Sequence, residues 1–252
     1  MADGRVSART TVFAPLVSGG RTEAVIQRIT ESVALGLLSD GEQLPSETDL
    51  SAQLGVSTVT LREALASLRE QGLVETRRGR NGGSFVRAPV DPTRAALRTR
   101  LEALSVTDLR DAGDELAAVS GAAARLAASR ASTDNVRRLL SLAGRVEESA
   151  GGGDRARADS RFHIEVAVAA ASERLTRAEV ALQTELGALL WAPGATDEDA
   201  RRAAEQHTAI ALAISREDSD LARALAEQHV ESNTHRIIEA RIELHGGGSR
   251  GA

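Results

Sequence analysis

The chain has 252 residues, of which 42% are hydrophobic and 27% are charged, and its formal net charge is −5. At roughly 100 to 200 residues per domain, this length predicts one or two domains with packed cores. The chain contains no cysteine, which excludes disulfides and thiolate metal sites. Because we find neither an N-terminal apolar signal segment nor a run of about eighteen apolar residues, we expect a cytoplasmic protein rather than a secreted or membrane-spanning one.

The charge is unevenly distributed along the chain. Residues 57–90 hold six Arg and three Glu, a net charge of +3, whereas residues 91–252 hold 21 Arg and 26 acidic residues, a net charge of −5. Residues 1–56, with four Arg and seven acidic residues, contribute −3. A surface for nucleic acid is therefore expected in the basic segment and not in the acidic second half. Its modest charge predicts that tight binding needs two copies of the domain and weakens with salt.

The first predicted elements form a helix-turn-helix. Ser46 is a good N-cap, and Leu50 and Leu54 follow it at i, i+4 spacing. Gly55 would end this helix, and Ser57 would cap the next one. The apolar stripe of the second helix consists of Leu61, Ala64, Leu65 and Leu68. This stripe would pack on the first helix and leave the opposite face, with Thr58, Thr60 and Arg62, for a DNA major groove.

A β-hairpin is predicted directly after the second helix. Residues 73–75 favour a strand, residues 77–83 a basic turn and residues 84–86 the returning strand. A helix-turn-helix followed by such a hairpin is a winged helix-turn-helix, in which the hairpin is the wing. The arginines of the predicted wing are Arg77, Arg78 and Arg80, which can reach the DNA backbone or minor groove.

Five short motifs in this region resemble the DNA-binding domain of the GntR transcription regulators. They are LPSE, a helix beginning GVS, LREAL, GLVE and GRNGGSFV, in this order within residues 20–88. The resemblance implies an operator as partner, and Arg62, in the LRE motif, matches the donor geometry that guanine O6 and N7 require. An ion pair of Arg62 with Glu63 or Asp49 is the alternative. The full set of expected DNA contacts is Thr48, Thr58, Thr60, Arg62, Arg77, Arg78, Arg80, Asn81 and Gly82. Many relatives carry Arg where this chain has Thr48 and Thr58, which leaves the operator sequence open.

The second half of the chain is predicted to be entirely helical. Residues 1–19 are expected to be a flexible lead-in and residues 89–93, with two prolines, a linker to a domain over residues 94–245, followed by a flexible tail at 246–252. The predicted helices are 94–103, 106–130, 133–149, 153–171, 174–190, 197–215 and 218–244. The expected fold class is mainly α: an N-terminal winged helix-turn-helix plus a C-terminal all-α antiparallel helical bundle.

Three histidines and one aspartate of this half are predicted to point inward. Asp159 and His163 lie four residues apart on one helix face, while His207 and His229 begin or join apolar stripes on two other helices. A buried carboxylate needs a partner, and a divalent metal would neutralise it. Three neutral His and one Asp suit Zn, Ni, Mn or Fe without selecting one of them. Spacing alone leaves a second interpretation open, in which the histidines are core residues bonded to backbone carbonyls.

The run DSRFH, with EQHTAI and EQHVES after it, is similar to the ligand pattern of the FCD effector domain found in one GntR subfamily. The resemblance implies a divalent metal held by Asp159, His163, His207 and His229. It also implies a small carboxylate as effector, for which Arg125 and Arg161 are candidate contacts, although surface positions are the alternative for both. His235 and His245 match nothing in the pattern and are expected to be solvated.

Two departures bear on the effector. Ser120 stands where many relatives have Glu, and the Arg usually one turn earlier is missing; Ser172 stands where an Asn often follows the metal-binding helix. These departures do not change the expected fold or the expected metal ligands. The identity of the effector stays open.

The expected function is therefore that of a homodimeric transcription regulator, a repressor reading a palindromic operator, with no catalytic residue. Two alternatives stay open. A metal-dependent enzyme would use the three-His, one-Asp centre, with Glu165 or Glu227 as general base. An inert dimerisation bundle would make the histidines ordinary core residues.

Overall fold

The computed structural model describes residues 12–13, 15, 21–79, 82–88, 94–191 and 194–248, with side chains as far as residue 244. The chain divides into two compact units, Met1–Val90 and Asp91–Ala252. The predicted linker 89–93, most of the predicted lead-in 1–19 and the last residues of the predicted tail lie outside the described residues. None of the described helices combines the length and the apolar character that crossing a bilayer requires.

The first unit is a winged helix-turn-helix. Its elements are α1 (Arg21–Ala34), α2 (Glu47–Leu54), α3 (Thr58–Glu70), β1 (Val74–Arg77) and β2 (Gly83–Val86). The two strands pair antiparallel, with Val74 opposite Val86. An isolated antiparallel β-bridge between Gln43 and Phe85, which the sequence analysis did not predict, joins a further segment to the hairpin.

Both predicted N-caps of the first unit are confirmed. The amide of Asp49 donates to Ser46 Oγ at 3.2 Å, and the amide of Thr60 donates to Ser57 Oγ at 3.1 Å. Gly55 ends α2 in the left-handed region at φ 67°, where a side chain would be strained. The tight turn between α2 and α3 therefore follows from three local sequence signals.

Helix α1 is an element that the sequence analysis did not predict. It buries Val25, Ile29 and Val33, spaced four residues apart, and packs against α3. The i, i+4 spacing of these three residues is the signal that would have found it.

The second unit is a bundle of helices, which confirms the expected fold class. Its elements are α4 (Arg94–Ala103), α5 (Val106–Arg130), α6 (Thr133–Ala143), α7 (Arg145–Glu148), α8 (Gly152–Ala169), α9 (Glu173–Leu190), α10 (Asp197–Ser215) and α11 (Ser219–Gly248). Capping boxes begin α5 at Ser105, α6 at Ser132 and α10 at Thr196. Long helices of this bundle are thus started by hydrogen bonds that the sequence encodes locally.

Two predicted helix boundaries are wrong. The predicted helix 133–149 is broken at Gly144, which ends α6 and precedes the short α7. The last helix continues to Gly248 instead of ending at residue 244, so the predicted tail begins inside a helix. Glycine lowers helix propensity, and this cost decides the outcome at position 144 but not at the end of α11.

Helix α8 is the centre of the bundle. From Phe162 to Ala169 every residue is buried, so this helix has no solvent face there. It packs against α5, α6, α7 and α9. Polar side chains in the middle of such a helix are held in the interior, and Asp159 and His163 occupy such positions.

Close approach of α5 and α11 depends on glycine. A Cβ atom at Gly121 would lie 2.6 Å from Glu227 Cγ, and one at Gly113 would collide with Thr234. These two positions allow the longest helices of the bundle to pack along their length.

Candidate metal centre and nucleic-acid interface

Three helices bring four metal-ligand side chains to one point. Asp159 and His163 come from α8, His207 from α10 and His229 from α11, and one ligand atom from each lies within 4.8 Å of the others. All four side chains are buried. The predicted convergence of these residues is therefore present in the structure.

The carboxylate of Asp159 has no hydrogen bond among the described residues. Its Oδ1 lies 3.3 Å from His207 Nε2 and 4.0 Å from His229 Nε2. Among the described residues, none of the three atoms Asp159 Oδ1, Asp159 Oδ2 and His207 Nε2 makes a hydrogen bond. An unpaired carboxylate in the protein interior costs several kcal/mol. A cation at the centre of the four side chains would remove this cost, so the donor set fits a divalent metal.

Neighbouring side chains fix the orientation of two of the imidazoles. His229 Nδ1 lies 2.8 Å from Gln206 Oε1, which makes Nδ1 the donor and leaves the Nε2 lone pair on the Asp159 side, where the Asn233 amide lies 3.1 Å away. The His207 ring stacks on Phe162, with centroids 4.1 Å apart and planes at 15°. Outer contacts of this kind orient the ligands of protein metal sites.

The three histidines are held in the neutral form that a metal requires. Burial lowers the pKa of His163 to about 4, although the nearby Asp159 charge acts in the opposite direction. Burial also lowers the pKa of His207 to about 3, against a raising effect of the Ala143 carbonyl, and lowers the pKa of His229 well below its usual value. At neutral pH each imidazole therefore keeps one unprotonated ring nitrogen; on His229 this is Nε2, which the Asn233 amide contacts and which a metal would take over.

The bundle also buries a second acidic side chain, which the sequence analysis missed. Glu179 on α9 is fully buried; Ser120 Oγ donates to its two oxygens at 3.1 and 2.9 Å, and Gln183 Nε2 donates to Oε1 at 3.0 Å. Burial raises the pKa of Glu179 to about 7, since these donors offset only part of the desolvation and the negative Asp159 raises it further. Ser120, which departs from the family pattern, is thus the partner of an unpredicted buried carboxyl group.

The other candidates in the bundle are not part of this four-residue cluster. Arg125 and Arg161, the candidate effector contacts, are exposed. His235 is exposed as predicted, and its ring nitrogen lies 2.8 Å from the Glu231 carbonyl; the side chain of His245 lies outside the described residues.

The two candidate general bases are both engaged in ion pairs. Glu165 accepts from Arg138 at 2.7 Å, and burial raises its pKa. Glu227 accepts from Arg223, also at 2.7 Å. Neither Glu165 nor Glu227 belongs to the cluster of Asp159 and the three histidines.

The outward face of α3 carries the predicted groove contacts. Thr58 and Arg62 are exposed, as is Thr48 on α2, while Thr60 is half-buried with its hydroxyl 2.8 Å from Ser57 Oγ. Arg62 Nε lies 2.7 Å from Glu47 Oε2, and the Arg62 side chain is 67% exposed. The alternative to a DNA contact, an exposed ion pair of Arg62, is therefore present, but its partner is Glu47 on the neighbouring helix and not Glu63 or Asp49. An exposed ion pair of this kind contributes at most about 1 kcal/mol to stability, so a contact of Arg62 with DNA could replace its contact with Glu47 at little cost.

Val59 is an exposed residue in the first turn of α3 that the sequence analysis did not name. Its side chain is 62% exposed beside Thr58 and Thr60. Apolar side chains at such positions can contact thymine methyl groups.

The wing is held together by contacts within the domain. Arg77 donates to Glu75 at 2.7 Å and its guanidinium lies 4.2 Å from the Phe85 ring centroid. Gln43 donates to the Gly82 carbonyl at 3.0 Å. Arg78 is exposed, and Arg80 and Asn81 lie outside the described residues. Arg77 and Arg78 are thus both exposed, and Arg77 also contacts Glu75 and Phe85 within the wing.

A winged helix-turn-helix whose second helix exposes Thr58 and Arg62, followed by a helical second unit, is typical of a DNA-binding transcription regulator. Two family models match the chain: "Bacterial regulatory proteins, gntR family" over residues 21–86 and "FCD domain" over residues 114–232.

Relatives agree with this assignment. RmpR of Mycobacterium gastri, by name an HTH-type transcriptional regulator, is 40% identical over 238 residues, which cover 94% of this chain and 87% of that protein. A Paenarthrobacter nicotinovorans protein named as a D-xylose utilization operon transcriptional repressor is 32% identical over 207 residues, or 80% of this chain and 82% of that one. The structure of E. coli McbR/YncC shares the fold with a TM-score of 0.52 at 16% identity, over 89% of this chain and 99% of that one.

The chain belongs to the GntR family of transcription regulators and carries an FCD domain. Because the family and these relatives are regulators rather than enzymes, the expected non-enzymatic class is confirmed.

Proposed function

We propose that the chain is a homodimeric repressor whose affinity for a palindromic operator is controlled by a small carboxylate bound beside a divalent metal. The observation that carries this proposal is the buried Asp159 carboxylate, which has no hydrogen bond in the described part of the chain and faces three neutral imidazoles. A helical domain that served only for dimerisation would gain nothing from this arrangement and would lose stability to it.

In this proposal Asp159, His163, His207 and His229 hold the ion. Their donor atoms suit Zn, Ni, Mn or Fe. When bound, the ion neutralises the Asp159 charge and offers open coordination positions to an oxygen of the effector. Gln206 and Asn233 orient the His229 ring, and stacking on Phe162 orients the His207 ring.

The proposed DNA surface consists of the exposed residues of α2, α3 and the wing. Arg62 would leave Glu47 and donate to guanine, while Thr48, Thr58, Thr60, Arg78, Arg80, Asn81 and Gly82 would contact backbone or base edges. Arg77 would support the wing through Glu75 and Phe85 instead. The corresponding domains would be residues 20–88 for DNA and 94–245 for effector and dimerisation, joined by 89–93.

Control of DNA binding then follows from dimer geometry. Two recognition helices must lie about one helical turn of DNA apart to read a palindrome. An effector that favours one arrangement of the two helical domains changes operator affinity without touching the DNA surface. The name of the Paenarthrobacter relative, a repressor, supports repression as the output.

Replacing Arg62 with Ala is expected to weaken binding to a selected operator by about 1 to 3 kcal/mol and to relax base preference. The reason is its place on the groove-facing side of α3 with only an exposed partner, Glu47. Anisotropy titrations on an operator selected from random duplexes and on a scrambled duplex measure both effects.

Arg78→Ala is the comparison variant for this experiment. Its exposed position in the wing predicts an equal loss on both duplexes and a flatter salt dependence. If Arg62→Ala also lost the same affinity on both duplexes, Arg62 would be a phosphate contact and not a base contact.

A further inference from the structure

The segment that leads into α2 pairs with the second strand of the wing. The Leu44 amide donates to the Ser84 carbonyl at 2.9 Å, and the Val86 amide donates to the Glu42 carbonyl at 2.8 Å. These bonds join backbone atoms, so they do not depend on the side chains of residues 42–44. The base of the wing is therefore fixed to the helix-turn-helix by its backbone.

Gln43, in the middle of this segment, extends the contact to the turn of the wing. We call residues 78–82, which connect β1 and β2, the wing turn. Gln43 Nε2 donates to the Gly82 carbonyl at 3.0 Å. The Gly82 amide itself donates to the Gly79 carbonyl at 2.9 Å, which closes the turn. Gln43 thus ties the last residue of the wing turn to the segment before α2.

Two glycines leave room for this contact. A Cβ atom at Gly83 would lie 2.7 Å from Gln43 Nε2, so a side chain there would displace the Gln43 amide. A Cβ atom at Gly82 would lie 2.5 Å from the Arg77 carbonyl oxygen, so Gly82 lies against the backbone at the end of β1. The two glycines therefore allow the wing turn to fold tightly and allow Gln43 to reach its last carbonyl group.

The wing turn carries four of the residues that we propose as DNA contacts. They are Arg78, Arg80, Asn81 and Gly82. A loop that becomes ordered only when it binds loses conformational freedom at that moment, and this loss weakens affinity. A hydrogen bond that holds the turn before DNA arrives reduces the loss. Gln43 is neutral, so its contribution does not depend on attraction to phosphate.

We propose that Gln43 is a positioning residue for DNA binding, which holds the wing turn in the arrangement that it has on the operator. Gln43 acts through the Gly82 carbonyl and not through a contact of its own with DNA. The inference rests on the proposed function, because it requires the wing turn to lie on the DNA backbone or in the minor groove. It adds that the segment leading into α2 sets the position of this turn.

The test compares Gln43→Met with the parent, both as full chains. Methionine keeps the unbranched shape of glutamine but has no N–H donor, and the backbone bonds of residues 42–44 do not involve the altered atoms. Anisotropy titrations use the selected operator and the scrambled duplex. We expect Gln43→Met to bind both duplexes about two- to tenfold more weakly, the range for one lost hydrogen bond, and to keep the base preference of the parent.

Gln27→Met is the matched control. Gln27 Nε2 also makes an exposed side-chain hydrogen bond, to Glu31 Oε1 at 2.8 Å, but it lies on α1, which carries none of the proposed DNA contacts. This variant should bind both duplexes as tightly as the parent. An equal loss in Gln27→Met and Gln43→Met would contradict a specific effect on the wing turn.

Two further measurements separate positioning from direct contact with DNA. Hydrogen exchange of the free protein should be faster over residues 78–84 in Gln43→Met than in the parent, because the closing bond from Gly82 to Gly79 opens more often. A direct DNA contact would not change exchange in the absence of DNA. In the Arg78→Ala background, Gln43→Met should cost less affinity than in the parent, since a turn without this cation gains less from its position.

The outcomes distinguish this inference from the proposed function. Full affinity of Gln43→Met on both duplexes would overturn the inference, as would an equal loss in the parent and in the Arg78→Ala background, or unchanged exchange of the wing turn. If Arg78→Ala itself bound both duplexes as tightly as the parent, the wing would lie outside the interface. That result would contradict the proposed DNA surface, and the role of Gln43 with it.

Discussion

Removing the metal is expected to lower the melting temperature of the helical unit by roughly 10 °C. An ion that binds only the folded state at about a thousand times its dissociation constant stabilises that state by about 4 kcal/mol. For a domain of this size, each kcal/mol corresponds to roughly 2 to 4 °C. The structural cause is the buried Asp159 carboxylate, which keeps no hydrogen bond within the described residues when the ion is taken away. Calorimetric melting with and without chelator measures the effect.

The control for this experiment is the winged unit. It contains none of the four proposed ligands, so chelation should leave the melting temperature of that unit, measured without DNA, unchanged. A helical unit that melts at the same temperature before and after complete metal removal would contradict the proposed stabilisation.

Phe162→Ala is expected to destabilise the helical unit by about 3 to 5 kcal/mol, the usual cost of removing a fully buried aromatic side chain. Phe162 has no exposed surface and stacks on His207. Because the ring also orients a proposed ligand, metal affinity should fall by about 10- to 100-fold. Urea unfolding of the metal-free protein and a competition titration with a chromogenic chelator measure the two effects separately.

Phe162→Leu is the matched variant, because it keeps most of the apolar volume and removes the flat ring. It should recover much of the stability but little of the metal affinity. If metal affinity followed stability in both variants, the stacking on His207 would have no part in positioning the ligand.

Local signals explain why much of the fold could be predicted from the sequence. Ser46, Gly55 and Ser57 each act through neighbouring backbone atoms, so a few residues of sequence contain the information. Likewise, the four-residue spacing of Asp159 and His163 places both on one helix face without knowledge of the rest of the fold. The family resemblance then indicated His207 and His229 as their partners.

Features that depend on packing between helices could not be predicted in this way. Glu179 is an acidic residue on an amphipathic helix, where a solvent-facing position is usual, and the packing of α9 against neighbouring helices, including α5 with Ser120, buries it. The pairing of Arg62 with Glu47 depends in the same way on the angle between α2 and α3. Spacing along one helix carries no information about either contact.

The most direct test of the account is the metal content of three proteins purified side by side. Elemental analysis is expected to find about one divalent ion per chain in the parent and in His235→Ala, whose exposed histidine lies on the same helix as His229, and almost none in His207→Ala. Equal, stoichiometric metal in all three proteins would contradict the site formed by Asp159, His163, His207 and His229.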